Sequence, residues 1–174
     1  MGIQKNFIDN IGQLHSVYPC YEYLTFGPWI YLVPQFKPES VLMLGYFGGT
    51  VAGLIKLFYG EETPITGVDI EEVEDLYDCN IIKADAQEYV KDCDFYDVII
   101  VDVWKRGKAV PLEFTYSKEF VDNVKTKCNY LIVHVDDKTD MSAYDGLYLV
   151  KTLDLNGSYF YYYMINRVAR LPIR

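Results

Sequence analysis

The stretch Val41–Thr50, "VLMLGYFGGT", runs four apolar residues straight into Gly45, Tyr46, Phe47, Gly48 and Gly49. Apolar "VLML" before the glycines and amphipathic "GTVAGLIKLFYG" after them read as a buried strand, a tight loop and a helix. A strand that turns at once into a helix exposes the helix's unpaired N–H groups and its positive dipole end above the strand. Glycines there permit unusual φ values and close approach of a ligand. Two readings stand side by side: a tight corner, or a cradle for a nucleotide-like ligand at the strand's carboxyl end.

Outward from this corner, short Val- and Ile-rich runs alternate with amphipathic stretches. The runs "SVLMLG", "ITGVDI", "NIIKAD", "YDVIIVD" and "NYLIVHV" lack the polar alternation of half-exposed strands and predict buried parallel strands near 41–45, 65–69, 80–84, 97–102 and 130–135. Between them, "GTVAGLIKLFYG", "AQEYVKDC" and "SKEFVDNVKTK" carry apolar residues at helical spacing. Alternation of this kind predicts an α/β, Rossmann-like fold, with a mainly parallel central sheet and helices on both faces. Between "GVDI" and "NIIKAD" only "EEVEDLYDC" intervenes, room for one or two helical turns or a loop. "KTDMSAYDGLYLVKTLDLNG" reads as a further helix ended by Asn156 and Gly157, and the aromatic "SYFYYYMINRV" as an antiparallel C-terminal edge near 158–165. In residues 1–37, Pro19, Pro28 and Pro34 break the chain into short helical or extended pieces packed on the sheet. No repeat or linker divides the chain, so residues 1–174 are expected to form a single domain.

Composition narrows the function classes. The 174 residues are 51% hydrophobic, yet no stretch approaches the length of an uncharged membrane span, and the N-terminus lacks the basic and apolar regions of a secretory signal. A cytoplasmic protein with no membrane partner is expected. Its four cysteines form no C-x-x-C pair and its two histidines, His15 and His134, stand far apart, so no metal site and four reduced thiols are expected. The formal net charge is −9, and the densest basic run is the short "WKRGK". Neutralising phosphates requires clustered Lys and Arg, so the reading is a small-molecule substrate and no nucleic acid; a homodimer is the assembly considered.

Three carboxylates complete the pattern. Asp69 ends the second strand about 20 residues after the glycines, where an acidic side chain can accept both ribose hydroxyls. Asp85 ends the third strand, within reach of an exocyclic amine such as that of adenine. Asp102 ends the fourth, over the reacting end of a ligand. Each could singly be a helix N-cap; in order at successive strand ends, coincidence is a poor account of them.

"VLMLGYFGGTVAGLIK", "GVDI", "KADAQEYV", "YDVIIVDVW" and "FTYSKEFVDNVK" together resemble the class I S-adenosylmethionine-dependent methyltransferase fold, and most closely its spermidine synthase-like branch. The resemblance covers roughly residues 38–135. It implies an S-adenosylmethionine, or decarboxylated S-adenosylmethionine, ligand: Gly45, Phe47, Gly48 and Gly49 at the amino-acid or sulfonium portion, Asp69 at the ribose, Ile70 on the adenine face, and Asp85 with Ala86 at the adenine edge. Asp102 matches the aspartate that deprotonates and orients the attacking amine in true aminopropyltransferases, and is the candidate catalytic residue. Tyr21, Tyr23, Trp104 and Lys105 are candidate walls of the acceptor pocket.

The departures bear on the reaction. Phe47 stands where spermidine synthases carry an aspartate for the aminopropyl amine, and Lys105 stands where they carry a second acidic residue. A cationic diamine would therefore meet positive charge. Methyl transfer needs only an in-line acceptor and one carboxylate to take its proton; it is the favoured reaction over aminopropyl transfer, with a non-catalytic ligand-binding module of the same fold as the alternative from another class. "GYFGGT" is not G-x-G-x-x-G, which argues against a dinucleotide oxidoreductase. His134 ends the fifth strand as either a general base or a satisfied buried histidine.

Overall fold

A computed structural model describes residues 5–8, 14–20, 28–105, 108 and 110–166. Strands β1 (Lys5–Ile8) and β2 (Leu14–Tyr18) pair antiparallel as a separate two-stranded sheet, followed by a 3-10 turn at Pro28–Leu32. The main sheet begins with β3 (Val41–Leu44), β4 (Ile65–Asp69), β5 (Asn80–Lys83), β6 (Tyr96–Val101) and β7 (Cys128–Asp136), each at or within two residues of its expected bounds. With β8 (Tyr148–Leu155) and β9 (Ser158–Met164) it has seven strands in the order β5-β4-β3-β6-β7-β9-β8. The pairs from β5 through β7 are parallel, and β9 pairs antiparallel with both β7 and β8.

Helices α1 (Thr50–Tyr59), α2 (Ala86–Asp92) and α3 (Lys118–Val124) cover the two faces. The two-residue period of a strand sends alternate side chains to opposite sides. Val41 and Met43 therefore join Val98, Ile100 and Ile132 beneath α1, Val17, Trp29 and Leu32. Leu42 and Leu44 join Ile99, Val101, Leu131 and Val133 beneath α2 and α3, which contribute Val90, Phe120, Val121 and Val124. Burial on both faces is why these strands read as continuous apolar runs. The N-terminal segment is tied to the start of α1 by side-chain hydroxyl bonds: Thr50 Oγ1 accepts from Val17 N at 2.6 Å and donates to Val17 O at 3.0 Å.

Residues 70–79 form no helix. Instead the Tyr77 ring lies where a Cβ on Gly53 of α1 would stand, and the buried Lys56 ammonium donates to Asp78 O at 2.6 Å, so the loop itself covers that part of α1.

The helix expected over 138–157 is absent. Asp140 caps only a 3-10 turn, Met141–Tyr144, by accepting from Ser142 N at 2.9 Å, and the chain then extends into β8. Asn156 (φ 55°) and Gly157 (φ 91°) are both left-handed, the geometry of a two-residue hairpin whose twist matches its flanking strands. They turn β8 into β9 rather than ending a helix. Consequently β9 is an interior strand and β8 forms the sheet's edge.

Candidate active site

The chain order reverses between β3 and β6: β4 and β5 lie on one side of β3, while β6 and β7 lie on the other. In open α/β sheets such a switch point leaves a crevice at the carboxyl ends of the flanking strands. A cavity of about 240 Å³ lies there, and its walls include Gly45, Phe47, Asp69, Ile70, Asp85, Ala86, Asp102, Trp104 and Lys105. Nine expected site residues thus converge from four separate strand ends. Gly48 and Gly49 do not line it. Tyr21 and Tyr23 lie outside the described residues.

The glycines answer first to the protein's own packing. Gly45 has φ +88°, and a Cβ there would stand 2.3 Å from the carbonyl oxygen of Asp102, so its absence lets the ends of β3 and β6 close against each other. Gly49 has φ +69°, and a Cβ on it would stand 2.4 Å from the Tyr46 hydroxyl oxygen, while one on Gly67 of β4 would stand 2.2 Å from the Tyr46 ring. Tyr46 is a cavity wall that sequence reasoning missed, although an aromatic flanked by glycines was the signal for it. Burial pushes its phenol well above the ordinary tyrosine value, so its buried hydroxyl stays neutral. Trp29, Thr50, Glu71, Leu112 and Phe114 are further walls not expected from the sequence.

Asp69 performs local work as well. Its Oδ2 accepts from Phe47 N at 2.8 Å and its Oδ1 from Glu71 N at 3.0 Å, which locks the glycine loop to the end of β4 with Phe47 in a left-handed conformation, φ 47°. Each carboxylate oxygen carries two acceptor sites, so these bonds leave capacity for ligand hydroxyls. Next to it, Ile70 is 66% exposed, an apolar side chain presented at the cavity rather than packed in the core. Asp85 is the N-cap of α2, its Oδ1 accepting from Gln87 N at 2.7 Å. The helix-cap reading of Asp85 is thus correct for that oxygen, while the residue also lines the cavity.

Asp102 follows the last residue of β6 and is 17% exposed at its side chain. Its Oδ1 lies 2.6 Å from Trp104 Nε1 and 2.8 Å from His134 Nδ1. His134, on β7, is 10% exposed and stacks on Phe160 of β9 with ring centroids 4.3 Å apart and planes at 10°. The loop after β6 folds back as a ribbon, with Lys105 N bonded to Val110 O and Leu112 N to Val103 O, which fixes Trp104 and Lys105 at the cavity wall.

No protein-family model and no curated protein matches this sequence. Solved structures do match its fold. It is similar to a probable spermidine synthase from Corynebacterium glutamicum, at 16% identity over 79% of this chain and 63% of that one, TM-score 0.59. It is similar to a protein assigned as a ribosomal RNA methyltransferase from Plasmodium falciparum, at 16% identity over 90% of this chain and all of that one, TM-score 0.54. The fibrillarin/Nop5p complex matches at 16% identity over 74% of this chain and 73% of that one, TM-score 0.53. RNA methyltransferases among the chains of this fold overturn the expectation that nucleic acid is excluded. That expectation rested on net charge, which governs long-range attraction, whereas an acceptor is chosen by local contacts at the site. Sheet order, antiparallel strand and structural neighbours agree on one conclusion: the chain has the fold of the class I methyltransferases.

Proposed function

We propose that the protein is an S-adenosylmethionine-dependent methyltransferase, acting as one ligand-binding unit over the whole chain. The observation that carries this reading is the convergence of Gly45, Asp69, Ile70, Asp85 and Asp102 on one cavity at the switch point of the sheet. The residues present suit the ligand: a carboxylate for ribose hydroxyls, an exposed isoleucine for the adenine face, an acidic edge for the exocyclic amine, and a close-packed glycine corner. When bound, S-adenosylmethionine supplies an electrophilic methyl group on a positively charged sulfur. Asp69 and Asp85 bind and orient; Tyr46 and Trp104 narrow the cavity; Asp102 accepts the proton that an O–H or N–H acceptor loses.

Phe47 and Lys105 both line the cavity where a cationic diamine would need carboxylates, which supports methyl over aminopropyl transfer. The acceptor is a small molecule in the first reading. A nucleic-acid acceptor is the second, favoured by the RNA methyltransferases of this fold and by an indole beside a lysine at the cavity wall. Incubation with methyl-labelled S-adenosylmethionine, offered in parallel RNA and a small-molecule pool, tests both. Label in either pool supports methyl transfer and names the class. Tight ligand binding with no transfer to any acceptor would favour the non-catalytic module, and methylthioadenosine release from decarboxylated S-adenosylmethionine with putrescine would favour aminopropyl transfer.

A further inference from the structure

Asp102 is held by two side chains, and both bonds fall on the same oxygen. Trp104 Nε1 can only donate, and it lies 2.6 Å from Oδ1. An ionised carboxylate can only accept, so the 2.8 Å contact to His134 Nδ1 requires the imidazole proton on Nδ1. The imidazole is fixed in turn: Phe160 stacks on it at 4.3 Å and Trp104 leans on it at 4.7 Å, ring centroid to ring centroid. Its other nitrogen, Nε2, is buried and has no hydrogen-bond partner among the described residues. The acceptor that satisfies the buried Nδ1 is thus a carboxylate that itself lines the cavity, so the fixed imidazole in turn fixes Asp102.

We propose that His134 is a positioning residue, which together with Trp104 saturates Oδ1 of Asp102 and leaves Oδ2 as the oxygen that receives the acceptor's proton. The inference rests on the reading of Asp102 as the proton acceptor. The proton balance is simple: the acceptor's O–H or N–H electron pair forms the bond to the methyl carbon, the carbon–sulfur pair leaves with sulfur, and the proton ends on Oδ2. His134 keeps its own proton on Nδ1 throughout and orients the carboxylate plane. This role costs an unpartnered Nε2, consistent with a geometry selected for the carboxylate and not for the histidine.

The test reads the tautomer directly. In water a neutral histidine side chain carries its proton mainly on Nε2, so an Nδ1–H form is a signature of the bond to Asp102. With only two histidines in the chain, long-range proton–nitrogen NMR spectra of wild type and His15→Asn assign His134. At a pH where the imidazole is neutral, Nδ1–H is expected in wild type and the Nε2–H form in Asp102→Ala. An Nε2–H tautomer in wild type, or no change in Asp102→Ala, overturns the proposal. With any acceptor that wild type methylates, His134→Phe keeps the stacking and loses the donor. It is expected to lower kcat on the order of ten- to a hundredfold, the worth of one charge-assisted hydrogen bond, with KM little changed and partial rescue by His134→Asn. Equal kcat in wild type and His134→Phe would also overturn it. Failure of the wild type to bind S-adenosylhomocysteine would sink the functional reading instead, and leaves the tautomer experiment as an independent result.

Discussion

Gly45 is where a single atom decides the local structure. Replacing it by Ala puts a Cβ 2.3 Å from a backbone oxygen in a left-handed conformation, and backbone cannot swing aside as a flexible side chain can. Left-handed strain and an unrelieved clash together predict a loss of about 2–5 kcal/mol in denaturant unfolding. Asp102→Asn has a different signature: adenosyl binding is retained, while turnover falls by about two to four orders of magnitude, read as methyl transfer beside calorimetric binding. At this scale the carboxylates were legible because Asp69, Asp85 and Asp102 each follow a recognisable apolar run. The partners of Asp102 were less so. His134 is 32 residues away, and only the pairing of β6 with β7 brings it alongside. The glycines were legible as a corner, but the reason for Gly49, room for the Tyr46 ring, depends on side-chain packing that spacing does not reveal.

Among the elements, the β8–β9 hairpin separates conformational cost from steric cost. Gly157 has φ +91° yet nothing within 4 Å of a modest added Cβ, so Gly157→Ala should cost only about 1–2 kcal/mol by the same unfolding measurement, less than Gly45→Ala. Equal losses would mean that the close approach at Gly45 carries no weight. Strand β9 also predicts an alkaline limit. Burial pushes Tyr162 up to about 12 from an ordinary value of 10.0, and its hydroxyl donates to Tyr31 O. A raised folded-state value means that the folded form holds its proton where the unfolded form has released it. The associated stability is complete below about pH 10 and drains away as pH rises towards 12. Ultraviolet titration of the tyrosines followed beside circular dichroism should show ionisation of the buried set coinciding with unfolding; free ionisation near pH 10 without loss of structure would contradict it. Four of the five parallel strands were legible because burial on both faces makes them nearly continuously apolar; β5, expected to be buried like them, is instead the sheet's other edge, exposed at Asn80 and Lys83 with Ile81 and Ile82 half-buried. β8 was not: at the sheet's edge it is largely exposed, its apolar residues also fit a helical spacing, and Asn-Gly serves both helix ends and hairpins.

For the molecule as a whole, sheet order places a cavity across the ends of β3, β4, β5 and β6, and the function proposed for it requires an adenosyl ligand there. No helix among the described residues is long and apolar enough to cross a membrane. Ligand that binds only the folded state should add about 2.7 kcal/mol of stability at a hundredfold excess over Kd, visible as a rise in Tm. The most direct test is calorimetric titration of S-adenosylmethionine into wild type and Asp69→Ala. One-to-one binding by wild type, weakened in the variant by about 2–3 kcal/mol through loss of hydrogen bonds to a charged group, is the predicted result. Absence of binding to wild type, or equal binding by both proteins, would contradict it.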